Sequence, residues 1–393
     1  MADLELAMAL VDEEDQKRHR RMKRRRPQPY TFRRHHDYSD LPDRLLIQRF
    51  RFDRPSLNFL CELLRDDLMS PLARNHPLPV ETKLCAALAF YATGSFQNAL
   101  GDSVAGACQA TMSRAITQVC DALVGKAHLF IRFPRREGEA EPVKQQLRGL
   151  CGGLPDALGA LGCTHVAIKA PKDSERAYLN RRGFHSINVQ LTCTRAHKIT
   201  SVAANFPGAC RDADILQRSA VGRHGAQGKI GAGYLIGDSE YPPRAWLLTP
   251  VSGPRSEAQS RYNEALGRVR REVSERTFQL LKRRFRCLDR GDGGPLQYSP
   301  ERCARIIIAC CVLHNVALGW AVPLEHPQEE GEPGGAQRGG GEQQQQVEEE
   351  EENGEEEELT EEEEEEEEEE KVPGGGLKEG RARRQELIDL YFS

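Results

Sequence analysis

The chain has 393 residues, room for two modest domains with tails, and a formal net charge of −5 with 38% hydrophobic residues. Its 12 cysteines show no Cys-x-x-Cys spacing and lie mostly in apolar stretches, as at Cys85, Cys193 and Cys310, which excludes a zinc ribbon or disulfide framework and points to reduced, buried thiols. The longest apolar run, Ile306–Leu313, is too short to span a bilayer, and Met1–Val11 is followed by acids and not by a cleavage site, so no membrane association is expected.

The near-neutral total hides a division. Between Glu325 and Glu370 stand 24 Glu against one basic residue, Arg338, so the −5 splits into −23 on that segment and +18 on everything else. A basic body suits a polyanion such as nucleic acid.

Residues 1–40 read as a basic disordered arm. Its run Lys17–Arg26 has the composition of a nuclear import signal or a phosphate-binding arm. Residues 41–130 read as helical. Leu45–Phe50 and Leu57–Leu64 are short amphipathic pieces, and Val80–Tyr91 is a helix stopped by Gly94. Phe96–Ala105, Gly106 and Gln109–Leu123 then have the spacing of a helix-turn-helix. The second helix would present Gln109, Ser113, Arg114, Thr117 and Gln118 to DNA bases or phosphates. An ordinary helical hairpin accounts for the same pattern.

Residues 131–155 read as a linker. From 156 to 322 the pattern switches to strands at Leu161–Ala170, His185–Thr194, Lys198–Asn205 and Gly233–Asp238. A short helix is expected at Ala213–Ser219, and longer ones at Ser260–Leu288, broken near Gly267, and Pro300–Trp320. The expected architecture is α/β, a mixed sheet with flanking helices. Residues 323–376 are acidic low complexity, unable to bury a core. In 377–393 the residues Leu387, Ile388, Tyr391 and Phe392 recur at helical spacing and make a short amphipathic element.

Two carboxylates carry the chemical interest. Asp238 ends the apolar run Gly233–Asp238. Glu275 opens the pattern Val273–Leu288, at the edge of the stripe Phe278, Leu281, Phe285, Leu288. Oxygen ligands so placed can hold divalent metal, and two metals can clamp a phosphodiester. A turn residue and a helix-dipole partner explain the same residues. His165, His185 and His314 sit in apolar runs and read as hydrogen-bonded core residues.

The chain also carries Thr164–Pro171 (THVAIKAP), Asn180–Asn188 (NRRGFHSIN), Asn205–Gly208 (NFPG) with Asp212, and Leu235–Asp238 (LIGD). Glu275–Phe278 (ERTF), Arg284–Asp289 (RFRCLD), Leu296–Pro300 (LQYSP) and Cys310–Asn315 (CCVLHN) follow. In that order these motifs resemble the nucleases derived from Harbinger transposases, a DDE-type transposase-derived family. The resemblance spans about residues 41–320 and the last dozen. It implies a ribonuclease-H-like core, nuclease action on DNA phosphodiester bonds, and a divalent cation, Mg2+ or Mn2+. It also implies a Myb/trihelix-type nuclear partner and residence in nucleus and cytoplasm. The family's metal-binding carboxylates fall on Asp212, Asp238 and Glu275. Its first carboxylate directly precedes the Cys-x-His-Val-Ala-Ile-Lys run, and here that position is Gly162, a residue without an oxygen ligand. Impaired cleavage, or a DNA-binding or adaptor protein that keeps the fold without cleaving, is the expected consequence.

Overall fold

The computed structural model describes residues 41–70, 78–94, 108–150, 152–231, 233–291, 294–324 and 376–393. The basic arm, the first helix of the expected helix-turn-helix and the acidic segment lie outside the described residues.

Among the described residues four helices come first: α1 (Asp43–Phe50), α2 (Arg54–Leu68), α3 (Val80–Thr93) and α4 (Gln109–Gly125). Asp53 caps α2 by accepting from the Ser56 N–H at 3.1 Å, satisfying one orphan donor of the first turn. Helix α3 is apolar nearly all round, the mark of a helix enclosed on every side, and Val80 and Thr82–Ala92 are indeed buried. It ends where expected, at Gly94 with φ 68°, a left-handed cap open to glycine.

The stretch 131–155 is more than a connection. It contains α5 (Glu137–Arg148), which packs on the first strand through Leu147. Its Lys144 pairs with Asp156 at 3.0 Å. Gly138, Pro142 and the polar composition disguise this helix in the sequence.

The sheet is built from β1 (Ala157–Ala167), β2 (Ser186–Cys193) and β3 (Ile199–Pro207). They form an antiparallel meander. Helices α6 (Asp212–Arg218) and α7 (Ala220–Ala226) follow. Then β4 (Tyr234–Ile236) and β5 (Leu247–Leu248) join in parallel beyond β1. The order is β3-β2-β1-β4-β5, with β1 central. The fold is therefore the expected mixed α/β. The two-residue β5 is too short to show as alternation.

The long helical pattern after the sheet is interrupted. Helix α8 (Glu257–Val269) runs into a π turn over Arg270–Glu275, and α9 (Arg276–Arg284) resumes α geometry. The break falls three residues beyond Gly267. Helix α10 (Pro300–Gly319) is long and apolar enough to cross a membrane by length and composition, but it runs through the core, with 72% of its apolar window buried. The last element, α11 (Leu377–Tyr391), docks on the body through Leu387 and Ile388, and Phe392 stands edge-on to Tyr262 at 5.7 Å. Each such buried apolar side chain contributes roughly 1.5–3 kcal/mol.

One core unites the N-terminal helices with the sheet and α10. Arg284 stitches them at the backbone: its guanidinium donates to Arg51 O at 3.3 Å and Val322 O at 2.9 Å. Arg51 Nε donates back to Arg284 O at 3.2 Å.

Candidate active site

Side chains alternate along β1, and the two neighbours Gly162 and Cys163 therefore face opposite sides. A Cβ at Gly162 would point at the π turn and α9, 3.3 Å from Ser274 Oγ and 3.4 Å from the Phe278 ring. Cys163 faces the other way, with its Sγ 3.2 Å from the Tyr241 hydroxyl.

Asp238 stands just beyond the end of β4, where its Oδ1 accepts from the Ser239 N–H at 2.7 Å. Glu275 closes the π turn. The two carboxylates meet through Arg270: Nη1 of that residue donates to Asp238 Oδ1, and Nε donates to Glu275 Oε1 at 3.1 Å. The π turn makes this possible. Residues five apart stand about 140° apart round an α-helix of 3.6 residues per turn, whereas i→i+5 pairing returns them to one face. All three side chains are half-exposed.

Asp212 lies elsewhere. At the first position of α6 it accepts from Asn188 Nδ2 at 2.9 Å. Asn188 is the register partner of His165, which shares the Cys163 side of β1. Burial pushes the Cys163 thiol well above its usual range, and the Asp212 carboxylate adds to the push. Asp212 is thus on the opposite side of the central strand from the Gly162 position. The expected convergence of Asp212, Asp238 and Glu275 on one ion is not found: among the described residues no three His, Cys, Asp or Glu side chains form a metal-ready group. Strand register decides this, because Asn188 holds Asp212 to the far face.

The residues present do not fit a metal pair. Position 162 supplies no ligand, and a guanidinium already joins the other two carboxylates. One detail is in keeping with a fuller site: Ser274 Oγ is buried without a hydrogen-bond partner, and it is the atom nearest the missing Cβ of Gly162. The sequence alone does not single out Arg270 or Ser274, since only the π turn aims them here.

On α4, Gln109 and Arg114 are exposed. Ser113 is engaged from below, its carbonyl and hydroxyl near Arg302 Nη2 at 3.3 and 3.5 Å. Thr117 Oγ1 donates to Ser113 O at 2.8 Å. The histidines take core and support positions. His314 is 1% exposed and 2.9 Å from His197 O. His165 Nδ1 lies 3.0 Å from Ser186 Oγ, and His185 pairs with Glu175 at 3.2 Å.

A central strand flanked by an antiparallel meander and two parallel strands, with carboxylates at a strand end and on a following helix, defines a DDE-type protein. The DDE superfamily endonuclease family, whose fold is ribonuclease-H-like, matches residues 161–315. The human protein named Putative nuclease HARBI1 is 41% identical over 296 residues, covering 74% of this chain and 84% of that protein. Its Xenopus laevis counterpart is 40% identical over 279 residues, covering 71% and 79%. The Arabidopsis thaliana protein named Antagonist of Like Heterochromatin Protein 1 is 26% identical over 294 residues, covering 68% and 72%. No solved structure matches. The chain belongs to the family of Harbinger transposase-derived nucleases.

Proposed function

We propose that this protein engages DNA as a transposase-derived nuclease-fold protein whose phosphodiester-cleaving centre is impaired by Gly162. The observation that carries the reading is the bare position on the central strand. The position that the family resemblance assigns to a carboxylate faces the orphan hydroxyl of Ser274 beside Glu275, and it holds no oxygen ligand. Two-metal hydrolysis needs ligands that fix both ions about 3.5–4 Å apart, and the present donor set lacks one. In this reading Asp238 and Glu275 are the remaining members of the centre, and Mg2+ or Mn2+ is the cation the restored site would take. Asp212 supports the opposite face.

The test is strand cleavage of duplex DNA with Mg2+ or Mn2+ by the unmodified chain beside Gly162→Asp. Little nicking by the first and more by the second is expected. Glu275→Gln in the Gly162→Asp background should abolish the gain. Robust cleavage by the unmodified chain would overturn the impairment.

A second reading, DNA binding without cleavage, draws support from the Arg270 bridge, which already neutralises part of the site. The basic body, with Gln109 and Arg114 exposed on α4, is the surface for DNA in both readings. The segment 325–370 would compete for it, so deleting that segment should tighten DNA binding. Residence in nucleus and cytoplasm and a Myb/trihelix-type partner belong to the same proposal, and the heterochromatin-related name of the Arabidopsis relative is in keeping with a nuclear role.

A further inference from the structure

We infer that Arg270 is a tethered cation standing in for a divalent ion between Asp238 and Glu275, so that metal can enter only by displacing its guanidinium. The inference rests on the reading of Asp238 and Glu275 as the remaining carboxylates of the centre.

The geometry is specific. Arg270 uses two different nitrogens for two different carboxylates, Nη1 for Asp238 and Nε for Glu275. The carboxylates come from separate elements, the β4 end and the π turn, so the guanidinium joins the sheet to the helix as a bridging ion would. It is also permanently charged, unlike a lysine or histidine that can deprotonate to make room. The two carboxylates and the arginine together carry one net negative charge. A divalent ion arriving there meets a fixed positive charge at hydrogen-bond distance from both ligands. Gly162 deepens the bias. A carboxylate there would add a second net negative charge beside Ser274 and Glu275, and would tip the site toward a divalent ion. The bridge is half-exposed, so solvent weakens it and a competitor can reach it. It is a latch that can be opened, not a buried pair that locks the fold.

The experiment is Mn2+ binding to the full chain, followed by electron paramagnetic resonance of free Mn2+. It compares the unmodified protein, Arg270→Gln, Arg270→Lys and the double variant Arg270→Gln/Glu275→Gln. Arg270→Gln should bind one Mn2+ at least about tenfold more tightly than the unmodified chain, which corresponds to about 1.4 kcal/mol. Its thermal midpoint should rise on adding Mn2+ while that of the unmodified chain stays in place. Arg270→Lys should show a smaller gain, because a compact ammonium serves one carboxylate at a time. The double variant should lose the gain, which separates this site from weak Mn2+ uptake by the 24 Glu of the acidic segment. Equal affinity in Arg270→Gln and the unmodified chain would overturn the inference, as would a gain that survives in the double variant. If Arg270→Gln does not fold, Arg270→Lys decides, and no gain there counts against the latch. Failure here is distinct from failure of the impairment reading, which is judged by nicking with Gly162→Asp.

Discussion

Asn315 of α10 pairs with the backbone of Ile199 as a neighbouring strand would. Its Oδ1 accepts from the Ile199 N–H at 2.9 Å, and its Nδ2 donates to Ile199 O at 2.7 Å and to Phe130 O at 3.1 Å. Ile199 opens the edge strand β3, where backbone groups otherwise lack partners. Asn315→Leu strands buried polar groups that each cost about 1–3 kcal/mol unpaired. We expect a loss of about 3 kcal/mol in urea unfolding. Asn315→Asp should also destabilise, since a carboxylate would face two carbonyl oxygens. A change within about 0.5 kcal/mol in Asn315→Leu would mean that the edge is held by other contacts.

Burial, the largest cause, lowers the pKa of His314 from 6.5 to about 4. The folded value lies below the unfolded one, so the unfolded chain takes up the proton first. The contribution of His314 is intact above pH 6.5 and is lost as pH falls to about 4. The full loss is about 3 kcal/mol at 1.36 kcal/mol per pKa unit. Burial lowers His165 and His197 in the same direction. Denaturant unfolding between pH 7.5 and 4.5 should show a shallower slope for His314→Gln. An unchanged slope would place the acid sensitivity in other groups.

Two glycines should respond in opposite ways to alanine. A Cβ at Gly225 of α7 would fall 2.2 Å from the Trp246 indole, and the helix backbone cannot yield to a ring. Gly225→Ala should therefore cost at least about 2 kcal/mol, within the range for overpacking. At Gly162 the nearest atoms stand at 3.3–3.4 Å, a contact that a small shift of Ser274 accommodates. Gly162→Ala should be within about 1 kcal/mol of neutral, because removing glycine from a strand interior offsets the tight contact. Thermal melts of the two variants side by side decide it, and an equally large loss at position 162 would mean that the space beside Ser274 is closed to any side chain.

Arg114 is the exposed cation of α4 best placed for a phosphate. Arg114→Ala should leave the fold intact and reduce the slope of log binding constant against log salt by about one. Fluorescence anisotropy with duplex DNA over a salt series measures it. An identical slope would make α4 a plain core helix whose outer face meets water.

Much of this fold is legible in the residues. The alternation around Val166–Ile168 and Ile187–Leu191 reveals strands, and Gly94 marks a helix end. Asp238 at a strand end and Glu275 on a helical turn can be picked out without coordinates. What stays hidden is set by three-dimensional register. The side of β1 that Asp212 occupies depends on the pairing of Asn188 with His165. The π turn has no residue signature, so Arg270 reads as one more member of the basic run Arg268–Arg271. Helix α5 and strand β5 are missed for simpler reasons, one polar and interrupted by Pro142, the other two residues long.

The docking of α11 changes what the acidic segment is. Helix α11 is fastened to the body where Arg384 Nη1 donates to Pro250 O at 2.8 Å and Phe392 packs on Tyr262. The segment 325–375 therefore connects two elements that pack on one body. A protease cut anywhere inside it would leave the C-terminal helix bound as a noncovalent ligand of its own body.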